Sequence, residues 1–86
     1  MKQITMFIME GCPFCRRALK WMAELEDEYP EFKSADIKII DEQMHRDIAA
    51  AYDYYFVPSY YVDGKKVHEG AASKQIIEDV YRAALE

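Results

Sequence analysis

The tetrapeptide Cys12-Pro13-Phe14-Cys15 separates two segments of different periodicity and constrains the fold more than any other feature of the chain. Residues 3–9 form a nearly continuous apolar run with β-branched members, which predicts a strand buried on both faces. After this run, apolar side chains recur at helical intervals; they are Phe14, Ala18, Trp21, Met22, Leu25 and Tyr29. Because Pro13 suits the first turn of a helix, Cys12 is expected at or beside the helix N-cap.

The rest of the chain predicts further strands and helices. A strand fits residues 37–40, and Asp41 is expected to cap a helix with the apolar face Met44, Ile48, Ala51, Tyr52 and Tyr55. Residues 57–62 and 65–68 are typical of two strands joined by a tight Asp63-Gly64 turn. Ser73 is expected to cap a final helix, whose apolar face is Ile76, Ile77, Val80, Tyr81, Ala84 and Leu85.

The order β-α-β-α-β-β-α predicts an α/β fold with a mixed four-stranded sheet flanked by three helices. An opening βαβ unit requires a right-handed crossover between parallel strands, and the hairpin adds two antiparallel strands. A chain of 86 residues with 51% apolar residues is sufficient for one core. Residues 1–86 are therefore expected to form a single domain.

Charge and hydropathy argue against two classes of partner. The net charge is −5, and no basic stretch is longer than Arg16-Arg17 or Lys65-Lys66, so a nucleic-acid surface is not expected. No stretch approaches the roughly 18 apolar residues that a membrane helix requires. The chain is therefore expected to act in the cytoplasm and without a membrane partner. It is also expected to be a monomer.

The two cysteines of the tetrapeptide are the only ones in the chain. Thiols separated by two residues can close a small disulfide ring, so the pair can alternate between dithiol and disulfide. A structural disulfide gains comparatively little from closing so short a loop. Backbone N–H groups and the helix dipole at a helix N-terminus favour a thiolate. Cys12 and Cys15 are therefore predicted to be a redox pair, and Arg16 and Arg17 are weaker candidates for stabilising a thiolate.

A metal or iron–sulfur carrier that uses the same two thiols is the alternative hypothesis. Zinc bound by Cys12 and Cys15 would require two more ligands. His45 and His68 are the only histidines, and their separation is not that of a zinc finger. The sequence therefore predicts no metal ligands, and no role is assigned to either histidine.

The Cys-x-x-Cys after the first strand, the Val57-Pro58 before the third and the order of elements together resemble the thioredoxin superfamily. The size of the chain and its Cys-Pro-Phe-Cys are similar to those of a glutaredoxin. The resemblance implies that Cys12 is the exposed nucleophile and Cys15 the buried resolving thiol. It also implies a cis peptide bond at Pro58, and places the substrate beside Pro13, Phe14, Val57, Pro58 and Gly70.

The implied activity is reduction of disulfides in proteins or small molecules, with no bound cofactor and with glutathione as a candidate co-substrate. The electron donor, either a thioredoxin reductase or glutathione, stays open. Met9 occupies the position where glutathione-binding glutaredoxins usually carry a basic residue, and Met6 that of the buried acid of thioredoxins. Most of the aromatic residues near Pro58 are expected in the core, and one or two of Tyr54, Tyr55 and Phe56 are candidates for lining a substrate groove.

Overall fold

The computed structural model describes residues 1–86 and has the predicted order of elements. The strands are β1 (Ile4–Ile8), β2 (Ile37–Asp41), β3 (Ser59–Val62) and β4 (Lys65–Glu69). The α-helices are α1 (Pro13–Glu28), α2 (Arg46–Ala50) and α3 (Lys74–Leu85), and a 3-10 helix (Pro30–Ser34) follows α1. The sheet order is β2-β1-β3-β4, with β1 and β2 parallel and the other neighbours antiparallel. The predicted mixed four-stranded α/β fold is confirmed.

Strand β1 is central, and both of its faces are covered. Ile4 and Met6 face a large core cluster to which α1 and α3 contribute. Phe7 points to the opposite face, where it forms a smaller cluster with Ile40 and Tyr61. Side chains alternate between the two faces of a strand, so a strand with both faces covered needs apolar residues at almost every position. This explains the continuous apolar run and confirms its interpretation as a buried strand.

Helix α1 begins as the sequence predicts, with Pro13 as its first residue and Cys12 as its N-cap. Its buried face is formed by Cys15, Ala18, Met22 and Leu25. Phe14 was expected on the buried face, but it is 50% exposed. That expectation is wrong because the buried stripe of the helix passes through Cys15 rather than through its neighbour.

The prediction for the second helix is wrong at both ends. Asp41 ends β2 instead of capping a helix, and its carboxylate accepts a hydrogen bond from the backbone N–H of Gln43 at 2.8 Å. Helix α2 begins only at Arg46 and has five residues. Because so short a helix cannot span the predicted apolar face, Met44 and Tyr55 lie outside it and are 76% and 87% exposed.

The two local signals near the C-terminus are confirmed. Asp63 and Gly64 both have positive φ angles, of 53° and 80°, as the predicted tight hairpin turn requires. The Ser73 hydroxyl caps α3 by accepting a hydrogen bond from the N–H of Ile76 at 3.1 Å. Leu85, the last residue of α3, is 42% exposed, contrary to its place in the predicted apolar face. None of the helices has the length and apolar character that crossing a membrane would demand.

Candidate functional site

Sheet topology brings the predicted site residues to one edge of the sheet. The chain leaves the carboxyl end of β1 and reaches Cys12 four residues later. Strand β3 is antiparallel to β1, with Ser59 opposite Phe7, so Pro58 approaches the same edge. Strand β4 ends at this edge, because Glu69 lies opposite Ser59. The N–H of Gly70 then donates to the carbonyl of Pro58 at 2.8 Å.

Both cysteines are free thiols in this structure. Backbone hydrogen bonds fix the start of the helix around Cys12: its N–H donates to the carbonyl of Met9 at 3.2 Å, and its carbonyl accepts from Arg16 at 3.1 Å. Gly11, with φ of +83°, makes the turn into this position. Cys15 lies one helical turn further along, on the buried face of α1.

The thiol of Cys12 is less accessible than the resemblance implies. Cys12 is 8% exposed and Cys15 is 2% exposed. The expectation of an exposed nucleophile is therefore wrong for this dithiol form, although Cys12 is the more accessible of the two. The Cys15 thiol lies close enough to Cys12 to influence its ionisation, so the two side chains are neighbours in this dithiol form.

The two thiols differ in their tendency to ionise. Burial opposes ionisation of Cys12, but hydrogen bonds from the N–H and thiol of Cys15, the N–H of Phe14 and the charge of Arg16 together hold its pKa below the ordinary value. Burial raises the pKa of Cys15 to about 11, and the Cys12 thiolate and the Glu42 carboxylate act in the same direction. A backbone hydrogen bond from Met9 opposes that rise only in part. The arrangement favours a thiolate on Cys12 and a proton on Cys15.

The two arginines beside the pair have different surroundings. The positive charge of Arg16 lowers the pKa of Cys12. The guanidinium of Arg17 instead lies 6.0 Å from the centre of the Phe14 ring. Of the two arginine candidates, Arg16 is therefore the one that acts on the thiolate.

The segment that precedes β3 contains the remaining predicted site residues. The Val57-Pro58 peptide bond is cis, as the resemblance implies. Pro58 is fully buried and Val57 is half-buried. Gly70, with φ of +91°, adopts a conformation that side chains rarely tolerate, which explains glycine at this position.

The three aromatic candidates before Val57 separate into two groups. Tyr54 belongs to the core, because its ring stacks on Phe7 with the centroids 4.8 Å apart. Tyr55 and Phe56 are 87% and 68% exposed. Of the three, only these two are open to a substrate.

Sequence reasoning missed two carboxylates at this edge. Glu42 follows β2, donates its N–H to the carbonyl of Ile8 at 2.9 Å and accepts the Tyr54 hydroxyl at 2.8 Å. Glu69 accepts hydrogen bonds from two backbone N–H groups of the segment before Pro58. Each acid is distant in sequence from what it contacts, so no local motif identifies it.

The structure contains little that supports the hypothesis of a metal or iron–sulfur site. No group of three or more His, Cys, Asp and Glu side chains is arranged to hold a metal ion. His45 is exposed, and the imidazole of His68 lies 3.0 Å from the carbonyl oxygen of Ala71. The two thiols therefore do not belong to a larger cluster of metal-ligating side chains.

Comparison with known proteins agrees with the fold. A family model described as a thioredoxin domain matches residues 2–82. Oxidised thioredoxin from Plasmodium falciparum has a TM-score of 0.72 at 15% identity, covering 95% of this chain and 79% of that one. A variant thioredoxin from Halobacterium salinarum has a TM-score of 0.72 at 21% identity, with 99% and 75% covered. Fasciola hepatica thioredoxin has a TM-score of 0.67 at 25% identity, with 94% and 79% covered.

No curated protein sequence is significantly similar to the chain. The family model nevertheless spans most of the chain and includes the Cys-x-x-Cys pair at the start of α1. The chain therefore belongs to the thioredoxin domain family, whose members with such a pair are thiol–disulfide oxidoreductases.

Proposed function

We propose that the protein reduces disulfide bonds in proteins or small molecules through the dithiol pair Cys12 and Cys15. The observation that carries this proposal is the opposite perturbation of two neighbouring thiols, with the pKa of Cys12 lowered and that of Cys15 raised. A nucleophile must be a thiolate, whereas a resolving thiol is useful only after the first bond has formed. The pKa values of Cys12 and Cys15 therefore differ in the direction that an attacking and a resolving thiol require.

The first step is attack by the Cys12 thiolate on one sulfur of the substrate disulfide. The substrate S–S bond breaks, a mixed disulfide forms with Cys12, and the other substrate sulfur leaves as a thiolate that takes up a proton. Cys15 then loses its proton and attacks the Cys12 sulfur, releasing the second substrate thiolate. The protein ends with a Cys12–Cys15 disulfide, and two electrons have passed to the substrate.

A lowered pKa helps Cys12 as a leaving group as much as it helps Cys12 to attack a disulfide. A thiol with pKa near 8.5 is about 3% ionised at neutral pH, and a pKa near 7 raises that fraction roughly sixteenfold. The intrinsic nucleophilicity of the thiolate falls about fivefold over the same change, so attack gains only about threefold. Cys12 is also a better leaving group when another thiolate attacks the substrate sulfur of the mixed disulfide, a step that releases Cys12 again as a thiolate.

The proposed substrate site lies where the Cys12 turn meets the segment before β3. We assign to Val57 and Pro58 the positioning of an extended substrate segment, because topology brings Pro58 to the edge that carries the thiols. Gly70 closes this side through its hydrogen bond to Pro58. Pro13 and Phe14 are the proposed contacts on the helix side, and Phe14 is half exposed there.

Two electron donors are compatible with this site, glutathione and a thioredoxin reductase. Met9 provides no positive charge for a glutathione carboxylate. We therefore expect the oxidised protein to be reduced faster by a thioredoxin reductase with NADPH than by glutathione. Rapid reduction by glutathione and slow reduction by the reductase would reverse this assignment without affecting the proposed roles of the thiols.

Substitution of each cysteine tests the proposed mechanism. Cys12→Ser should abolish reduction of insulin disulfides, because no other thiol is positioned to attack. Cys15→Ser should still form the mixed disulfide and accumulate it, since the resolving thiol is missing. Mass spectrometry of the protein mixed with a disulfide substrate distinguishes the two variants. Full turnover by Cys12→Ser would contradict the mechanism.

A further inference from the structure

The backbone just before Pro58 is held by a side chain from another strand. Glu69, the last residue of β4, accepts hydrogen bonds through Oε2 from the N–H of Tyr55 at 2.7 Å and of Phe56 at 3.1 Å. Hydrogen bonds to a carboxylate are roughly twice as strong as those between neutral groups. Two adjacent peptide groups of an irregular segment are therefore fixed by one carboxylate.

Lys66 extends this attachment to the beginning of the same segment. Its Nζ lies 2.8 Å from Oε1 of Glu69 and 3.0 Å from the carbonyl oxygen of Asp53. The ammonium group of Lys66 therefore orients the Glu69 carboxylate and also binds the backbone of Asp53, two residues before Tyr55. Lys66 and the N–H groups of Tyr55 and Phe56 hold the pKa of Glu69 below its ordinary value, so the carboxylate stays charged at neutral pH.

The side chains of Tyr55 and Phe56, whose backbone is held in this way, do not pack in the core. Tyr55 is 87% exposed and Phe56 is 68% exposed, although both are large and apolar. The segment continues directly into Val57 and Pro58, the proposed substrate-positioning residues. When this backbone is already fixed in the free protein, it loses less conformational entropy on binding the substrate.

We propose that Glu69, oriented by Lys66, is a positioning residue that holds the Tyr55–Phe56 backbone ready to receive an extended segment of a disulfide-bonded protein. This inference rests on the proposed function. A protein substrate extends beyond its cystine and reaches this segment, whereas a small reagent that meets only the Cys12 sulfur does not. Loss of the carboxylate should therefore weaken binding of protein disulfides and leave the reactivity of Cys12 intact.

The test is Glu69→Gln, which keeps the size of the side chain and removes its charge. The KM for insulin, used as a protein disulfide, should rise about fivefold to tenfold with little change in kcat, which is the signature of lost binding rather than lost chemistry. The rate at which iodoacetamide alkylates Cys12 should stay within about twofold of the wild type. Hydrogen exchange at the amides of Tyr55 and Phe56, followed by NMR, should become faster.

Glu78→Gln is the matched control. Glu78 pairs with Arg82 at 3.0 Å on α3, and its side chain is 19% exposed, against 20% for Glu69. This variant loses a similar ion pair away from the site, so its KM and its exchange at Tyr55 and Phe56 should match the wild type. Similar changes in both variants would show a general effect of lost surface charge and would overturn the inference.

The remaining outcomes are also decisive. An unchanged KM in Glu69→Gln, or unchanged exchange at the two amides, would overturn the positioning role while leaving the proposed function intact. A parallel loss of insulin reduction and of Cys12 alkylation would show that Glu69 supports the whole site, which also overturns it. Failure of the wild-type protein to reduce insulin would refute the proposed function for protein disulfides, and with it this inference.

Discussion

The raised pKa of Cys15 predicts a loss of stability at alkaline pH that a single substitution removes. Burial raises this pKa from about 9 to about 11 in the folded protein, so the folded state holds the proton more tightly than the unfolded chain does. The resulting stabilisation is fully present below the unfolded pKa. It is lost as the pH rises from about 9 through about 11.

The size of the effect follows from these two values. Between pH 8 and pH 10 the thiol in the unfolded chain changes from about one-tenth to about nine-tenths ionised, while the folded thiol stays mostly protonated. Integrating the difference in bound protons gives a loss of about 1 kcal/mol in the free energy of unfolding. Cys15→Ser has no thiol at this position and should not show this loss.

Urea unfolding of the reduced wild-type protein and of Cys15→Ser, each at pH 8 and pH 10, measures the difference. Tyr54, Tyr60 and Tyr81 also have raised pKa values, because burial disfavours their phenolates. These tyrosines are present in both proteins, so their contributions largely cancel. In Cys15→Ser the serine hydroxyl can replace the thiol as the hydrogen-bond donor to Cys12, so the contribution of Cys12 is also largely retained. An equal loss of stability in the two proteins would refute the reasoning, because it would mean that the folded Cys15 ionises like an unfolded one.

Local sequence signals predicted most of the fold because each of them depends on neighbouring residues. Pro13 is tolerated at the start of a helix and not in its interior, so it located the beginning of α1. Asp63 and Gly64 tolerate positive φ, which located the hairpin turn. The second helix was predicted poorly because Asp41 is equally suited to a helix cap and to the turn that it makes after β2.

The site was only partly predictable from the sequence. The spacing of Cys12 and Cys15 predicted a thiol–disulfide redox pair. The resemblance predicted that Pro58 belongs to the site and follows a cis peptide bond. The contacts of Glu69 gave no signal, because its partners are backbone N–H groups that every sequence contains, and they lie 13 and 14 residues away. The accessibility of Cys12 depends on the direction of its side chain, which spacing alone does not determine.

Two further substitutions test a local interaction of the fold and one of the site. Ser73→Ala removes the hydrogen bond to the N–H of Ile76, and urea unfolding should show a loss of about 1 kcal/mol with unchanged activity. Glu42→Gln removes a negative charge that disfavours the Cys15 thiolate, so the pKa of Cys15, followed by thiolate absorbance in the ultraviolet, should fall. The fall should be partial, because burial is the largest cause of the raised pKa and the substitution leaves it in place. An unchanged or higher pKa would mean that Glu42 has no electrostatic influence on the thiol, despite its place at the same edge of the sheet.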